Sequence, residues 1–230
     1  TTESIRANKQ ATIAEQEKTR AEAVKDFVTT MLSSVDPATA GAMDKELMML
    51  VLSKASGSVG DQFEDQPLVE AEIRSVIGNT YQALGKYDEA EGHLVESSAI
   101  YRRVLGNEHP STLGSIGNMG ILLWNQGKYN EAEVYYTEAL EAKRRVLGNE
   151  HPSTLVSIVN MGSLLKDQGK LDEAEVYYTE ALEGFRRVLG NEHPYTLYSI
   201  NALAELYDAW GKPEEAKKYR EMLPEEDASE

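Results

Sequence analysis

The chain has 230 residues, no cysteine, and 39 acidic against 23 basic side chains, so its formal net charge is −16. The lack of cysteine excludes disulfides and thiol chemistry. The negative charge disfavours binding to nucleic acid or to an anionic lipid surface. The longest apolar run, Leu47–Leu52, is too short to cross a bilayer. We therefore expect no direct membrane insertion, and any partner should be neutral to basic.

Residues 1–36 predict an N-terminal helix with a polar first part, up to Arg20, and an amphipathic second part. From Val24 the apolar residues recur every three or four positions, as on one helix face. The second part should dock on a core, whereas the first part should project, either solvated or as a weak dimer seam through residues 1–20. Residues 37–66 predict a capping helix, from about Ala42 to about Ser56, and a loop. Gly57 and Gly60 should weaken the end of this helix.

From Pro67 the sequence repeats with a period of 42 residues. The block Arg102-Arg-Val-Leu-Gly-Asn-Glu-His-Pro-Ser-Thr-Leu113 returns unchanged at 144–155, and at 186–197 it returns with one change, from Ser to Tyr195. A fixed period in this range indicates stacked copies of one supersecondary unit. The repeats should span 67–108, 109–150, 151–192 and, truncated, 193–223, followed by an acidic tail at 224–230.

Each repeat predicts an antiparallel pair of helices, A and B. A glycine such as Gly127 supplies the left-handed residue between the two helices, another such as Gly148 ends helix B, and the proline of each His-Pro starts the next helix A. In the second repeat, helices A and B should span 110–125 and 129–147. Gly120 and its equivalent Gly162 should permit a close approach of the two helices.

The spaced small and large residues of each repeat resemble the signature of the tetratricopeptide repeat. In the second repeat they are Gly120, Leu123, Gly127, Tyr129, Ala132, Tyr136, Ala139 and Leu140. With the Leu-Gly-x-x-His-Pro-x-Thr ending and the 42-residue length, residues 67–223 resemble the kinesin-light-chain-like subtype. The resemblance implies an all-α fold, a right-handed superhelix of antiparallel helix pairs whose A helices line a concave groove for peptides or partner domains.

A second resemblance concerns the segment from Glu22 to Pro37 and the start of the first repeat, with Gln66-Pro67. This part is similar to the repeat region of bacterial transmembrane serine/threonine kinases, although the chain holds no kinase motif. It implies an alternative function, the extracytoplasmic sensor or docking part of such a kinase. Localisation stays open: cytoplasmic for a free scaffold, extracytoplasmic and membrane-tethered for a kinase part.

The sequence holds no recognisable catalytic set, so we expect neither an enzyme nor a cofactor. His109, His151 and His193 recur in Glu-His-Pro motifs, but equivalent points on stacked repeats lie about 10 Å apart, too far to share a metal ion. We therefore expect no metal site and assign these histidines a structural role at the helix starts.

The groove carries the functional prediction. Asparagine recurs at Asn118 and Asn160, with Asn201 displaced by one residue. An amide can donate to and accept from an extended peptide backbone. The alternative is that these amides only tie neighbouring helices together. The candidate groove residues are Asn79, Asn118, Ile121, Trp124, Asn125, Asn160, Ser163, Tyr198, Asn201, Glu205 and Asp208. We expect a non-catalytic scaffold that binds a protein or peptide, and a self-association module is the remaining alternative.

Overall fold

The computed structural model describes residues 12, 15, 18–20, 22–27 and 45–224. All regular structure in these residues is helical, which confirms the all-α fold of paired helices. None of the helices described is long and apolar enough to cross a membrane. Contacts divide the chain into two compact units, a first unit of residues 1–107 and a second unit of residues 108–230. We describe each unit by itself.

The first unit contains α1 (Lys45–Gln62), α2 (Pro67–Ala83) and α3 (Tyr87–Leu105), and α2 packs against both of the others. Residues 22–27 are also helical. The Phe27 side chain is buried, and its ring meets that of Phe63 edge-on with 5.6 Å between the ring centroids. The expected docking of the amphipathic segment is thus confirmed at Phe27. The apolar positions of that segment beyond residue 27 lie outside the described residues.

The structure differs from two expectations for the first unit. Arg20, at the end of the polar stretch expected to project, has its Nε 2.6 Å from Oε2 of Glu72 on α2. The helix expected to fade near Ser56 continues through two glycines to residue 62. Val59 is fully buried, and a Cβ at Gly60 would lie 3.2 Å from Nη2 of Arg74. This packing outweighs the cost of each glycine in a helix, about 1 kcal/mol.

The second unit contains three A helices, α4 (Pro110–Asn125), α6 (Pro152–Asp167) and α8 (Pro194–Ala209). Its B helices are α5 (Tyr129–Leu147), α7 (Leu171–Leu189) and α9 (Pro213–Arg220). Each helix packs against the next along the chain, and α6 also contacts α8. The bounds of α4 and α5 are those expected from the sequence. Helix α9 has only eight residues and ends three residues before the expected end at Leu223.

The helix ends confirm the roles assigned to histidine and glycine. The Nδ1 atoms of His109, His151 and His193 accept a hydrogen bond from the backbone N–H two residues later, at 3.2, 3.1 and 3.2 Å. Each histidine therefore caps the start of an A helix. The glycines that end the helices have φ between +72° and +90°, in the left-handed region that other residues rarely adopt.

Within each repeat, a glycine of helix A lies against a tyrosine of helix B. A Cβ at Gly120 would lie 2.5 Å from Cδ1 of Tyr136, and a Cβ at Gly162 would lie 3.0 Å from Cδ1 of Tyr178. Both tyrosines are almost fully buried. The expected close approach of the helices is confirmed, and at Gly120 the space excludes even an alanine methyl group.

A polar cluster links α1, α2 and α3 of the first unit. His93 on α3 has its Nε2 2.9 Å from Oγ of Ser56 on α1, and its ring stacks on that of Tyr81 on α2 with 5.9 Å between centroids. Burial, together with the nearby Arg74 guanidinium, holds the pKa of His93 below its ordinary value of 6.5. The folded first unit therefore favours the neutral imidazole.

We expect Gly120→Ala to lower the free energy of unfolding by about 1 kcal/mol or more. Overpacking against Tyr136 costs about 1–3 kcal/mol, and the better helix propensity of alanine offsets only part of it. The control is Gly117→Ala, where nothing lies within 4 Å of the added Cβ. That variant should gain about 0.5–1 kcal/mol. Urea unfolding followed by fluorescence of Trp124 and Trp210 measures both, and equal stabilities would contradict the assigned packing.

We expect the first unit to lose stability as the pH falls below about 6.5. Because the pKa of His93 is lower in the folded state, the unfolded chain binds the proton more readily, so acidification favours unfolding until both states are protonated. His93→Phe cannot titrate and can keep the stack on Tyr81. Circular dichroism melts at pH values of about 7.5 and 5.5 should therefore differ less for this variant than for the parent. The same pH dependence in both proteins would rule out His93 as its source.

Candidate functional site

The candidate site in the second unit lies on the A-helix face, the surface formed by the positions of α4, α6 and α8 that are equivalent to Val156, Asn160, Ser163 and Asp167 of α6. The equivalent residues recur 42 positions earlier on α4 and 42 positions later on α8. Because helix bounds and caps repeat with the same period, these positions point in the same direction from each A helix.

Polar contacts occupy the end of the A-helix face formed by the carboxyl ends of the helices. Trp124 on α4 donates its Nε1–H to Oδ2 of Asp167 on α6, at 2.8 Å. The Trp124 ring is half-buried against the core of the unit. The indole therefore already has a polar partner within the protein, and it links two repeats. Asn125, which follows Trp124 and is the last residue of α4, is exposed.

The carboxylates expected to meet a basic ligand are also paired. Glu205 accepts a hydrogen bond from Nδ2 of Asn201 at 2.8 Å, and its Oε2 lies 3.3 Å from Nζ of Lys166. Asp208 pairs with Arg220 of α9. These candidates connect α8 to α6 and to α9, so their charges are already neutralised locally.

At Ser163 the A-helix face offers no free group to a ligand, which corrects the assignment of this residue to the groove. Its side chain is buried, its Oγ donates to the carbonyl of Val159 at 3.1 Å, and it accepts from the hydroxyl of Tyr178 at 2.9 Å. Burial raises the pKa of Tyr178 to about 12. The equivalent of Ser163 on α4 is Ile121, half-buried against the core. Accordingly, the hydroxyl of Tyr136 is buried and has no partner among the described residues.

The two equivalent amides at the middle of the A helices differ from the preceding side chains, which have partners within the protein. Asn118 and Asn160 are both partly exposed. Within residues 108–224, neither side-chain amide has a hydrogen-bond partner. The alternative expectation, that these amides tie neighbouring helices together, therefore finds no such bond in this unit. Each amide keeps a donor and an acceptor available for a ligand.

A pocket of about 350 Å³ opens beside Asn160, between the N-terminal halves of α6 and α8. Phe185 of α7 is fully buried, and its ring stacks on that of Tyr195 with 5.4 Å between centroids. Tyr195 and Tyr198 on α8 remain 49% and 55% exposed. No charged side chain lines the pocket, whose residues are Val156, Val159, Asn160, Phe185, Pro194, Tyr195 and Tyr198.

The pocket joins two of the sequence-predicted residues, Asn160 and Tyr198, to several that the prediction missed. The missed signal is a departure from the repeat. Phe185 stands where the preceding repeat has Lys143, and Tyr195 stands where the other copies have serine. Asn79 belongs to the first unit, where its side chain is exposed on α2. The site therefore centres on α6 and α8.

Among the residues that the structure describes, no three His, Asp or Glu side chains are placed to hold a metal ion. The buried Lys143 donates from Nζ to Oγ of Ser157 at 2.8 Å, and burial lowers the pKa of its ammonium. Because this lysine is enclosed between α5 and α6, it serves packing rather than reaction with a ligand.

Comparison with known proteins identifies the repeats. The sequence profile of the tetratricopeptide repeat matches residues 69–145, 114–183 and 154–222, which together cover more than half of the chain. The chain belongs to the tetratricopeptide repeat family. A comparison with curated protein sequences gave no significant match. The resemblance of the N-terminal part to bacterial kinases is not shown by these findings and stays a prediction.

Solved structures of tetratricopeptide repeat proteins share the fold. BtubC (BKLC) from P. vanneervenii is 19% identical with a TM-score of 0.66, and the match covers 94% of this chain and 96% of that chain. A putative kinesin light chain from Podosopora anserina is 21% identical with a TM-score of 0.67, over 87% of this chain and 91% of that one. A signal transduction ATPase with numerous domains (STAND) from Pyrococcus horikoshii, which has a tetratricopeptide repeat sensor, is 19% identical with a TM-score of 0.60, over 76% of this chain and 27% of that one. These similarities confirm a kinesin-light-chain-like repeat fold.

We expect Tyr178→Phe and Tyr136→Phe to differ in their effect on stability. The first removes a hydrogen bond to Ser163 and should lower the free energy of unfolding by about 1 kcal/mol. The second removes a hydroxyl that is buried without a partner, so stability should stay equal or rise. Urea unfolding of the two variants, which differ from the parent by the same atom, provides the comparison. Equal losses would mean that the Tyr136 hydroxyl has a partner in solution.

Proposed function

We propose that this protein is a non-catalytic scaffold whose A-helix face in the second unit binds an extended segment of a partner protein. Tetratricopeptide repeat scaffolds are protein interaction modules, which supports the general class. The observation that carries the proposal is the pair of unbonded amides at Asn118 and Asn160, at equivalent positions of two successive A helices.

The spacing of the two amides suits an extended chain. Equivalent points of stacked repeats are separated by about 10 Å, and an extended chain advances about 3.3 Å per residue. Asn118 and Asn160 would thus contact peptide groups about three residues apart on the same segment. Because both contacts involve the main chain, they favour an extended backbone over any particular side chain.

The charge of the chain selects among partners. With a formal net charge of −16, the scaffold repels acidic segments and attracts basic ones. Glu205 and Asp208 contribute less to this selection than the sequence predicts, because Lys166 and Arg220 pair with them. A neutral to basic partner therefore follows from the overall charge rather than from these two carboxylates.

The two alternative functions lack a comparable observation. The kinase-like segment 22–37 lies partly outside the described residues, so that function rests on the sequence alone. The weak dimer seam was expected in residues 1–20, and Arg20 at its end pairs with Glu72 of the same chain. Peptide binding is the function that the exposed groups of the A-helix face support best.

We expect the double change Asn118→Ala and Asn160→Ala to reduce partner capture by about tenfold or more, because it removes both backbone contacts. Melting should stay unchanged, since neither amide bonds within the unit. The measurement is a pull-down from the source lysate, quantified by mass spectrometry. The matched control is Asn130→Ala, an exposed amide on the first turn of α5. Recovery of the same partners by the double variant would sink the proposal, and an unfolded double variant would show that the amides are structural.

A further inference from the structure

We infer that the pocket between α6 and α8 takes one large uncharged side chain of the bound segment, with a basic residue of that segment beside Glu192. The inference rests on the proposed function and adds to it the chemistry of the partner. The occupant is thus a stretch of another protein in which a phenylalanine, tyrosine, tryptophan or large aliphatic residue is followed or preceded by lysine or arginine.

The floor of the pocket arises from a specific departure from the repeat. Residues 131–151 and 173–193 differ at two positions only, where Ala142 and Lys143 are replaced by Gly184 and Phe185. Phe185 forms the apolar floor in place of a lysine. A Cβ at Gly184 would lie 2.3 Å from Cδ2 of Leu155, at the end of a side chain on α6. Both changes therefore lie where α7 faces α6.

The residues of α8 that form the walls of the pocket also differ from those of the earlier repeats. Tyr195 replaces the serine found in the two earlier copies, and Tyr198 replaces Val156. Tyrosine is enriched among the residues that dominate binding energy at protein interfaces, because it offers a rigid apolar body and a polar tip. Both rings are about half exposed although they line a cavity. A ligand side chain that entered the pocket would cover them.

The size and lining of the pocket select the anchor. A volume of about 350 Å³ is at the lower end of the range for ligand sites and suits one large side chain. Since no charged group lines it, a charged anchor would be desolvated without a partner, which is unfavourable. The amide of Asn160, at the edge of the pocket, can bind the backbone of the residue that inserts.

A carboxylate that is close to the pocket in the sequence selects the residue beside the anchor. In the two preceding copies, the glutamate of Asn-Glu-His-Pro pairs with an arginine of the next repeat: Glu108 with Arg145 at 2.8 Å, and Glu150 with Arg187 at 2.9 Å. The position 42 residues after Arg187 is Ser229. Among the described residues, Glu192 has no ion pair.

Glu192 therefore leaves one carboxylate unneutralised two residues before Pro194, which lines the pocket. A lysine or arginine beside the anchor would be complementary to it, and an acidic neighbour would be repelled. A basic neighbour thus distinguishes this occupant from a purely apolar one.

The test uses fluorescein-labelled peptides of about nine residues in a glycine, serine and alanine background, with fluorescence anisotropy as the readout. The central residue is Phe, Leu, Ser or Asp, and the residues flanking it are Lys or Glu. We expect Phe and Leu to bind about tenfold tighter than Ser, and Lys flanks to bind tighter than Glu flanks. The double change Tyr195→Ser and Tyr198→Val, which restores the residues of the preceding repeat, should remove the preference for Phe and Leu. Glu192→Gln should reduce the preference for Lys.

Val176→Ser, at an exposed position on α7, serves as the control and should change neither preference. Asn118 does not line the pocket, so Asn118→Ala reports on the proposed function separately. Binding that depends on Asn118 without a preference at the central residue would overturn the pocket inference and leave the proposed function standing. If no peptide binds the parent, both are wrong. A parent that dimerises by light scattering, and becomes monomeric when Tyr195 and Tyr198 are replaced, would show that a second copy occupies the pocket.

Discussion

The contact between a glycine of helix A and a tyrosine of helix B sets how the repeats of the second unit pack. The Tyr136 ring occupies the space that a Cβ at Gly120 would need, and a Cβ at Gly162 would be in tight contact with the Tyr178 ring. The ring fixes the rotation of one helix against the other, because a turned helix would present a bulkier residue to it. In the last repeat the equivalent residues are Ala204 and Arg220, and α9 ends at this arginine. Within the second unit, this contact therefore occurs in the repeats 109–150 and 151–192 and is replaced in the truncated repeat.

A fixed helix rotation determines which residues remain available for binding. Near the carboxyl ends of the A helices, pairs such as Trp124 with Asp167 and Lys166 with Glu205 join neighbouring repeats. Toward the middle and the N-terminal halves, Asn160 lacks a partner within residues 108–224 and the pocket beside it is open. Binding at these positions leaves the polar links between repeats intact. A partner bound there as proposed would meet a preorganised surface, which limits the entropy lost on association.

The sequence predicted those features that local chemistry decides. The bounds of α4 and α5 followed from proline at the helix starts and glycine at the ends, since each residue restricts or permits specific backbone angles. The sequence-based prediction was wrong where contacts between residues distant in the sequence determine the structure. Helix α1 continues past Gly57 because Val59 is buried against other elements. Ser163 was assigned to ligand binding, whereas its hydroxyl accepts a hydrogen bond from the Tyr178 hydroxyl of the next helix.

The pocket could not be derived from one helix pattern, because it is a volume enclosed by three helices. In the sequence, the pocket is indicated by residues that differ between successive repeats, and not by a motif. In these nearly identical repeats, the change from lysine to Phe185 alters a buried position and must be accommodated by the next A helix. Tyr195 accommodates it by stacking on that ring. The changes at positions 185 and 195 are thus in contact in the structure. Together they give this repeat a pocket lining that differs from the same positions of the preceding repeat.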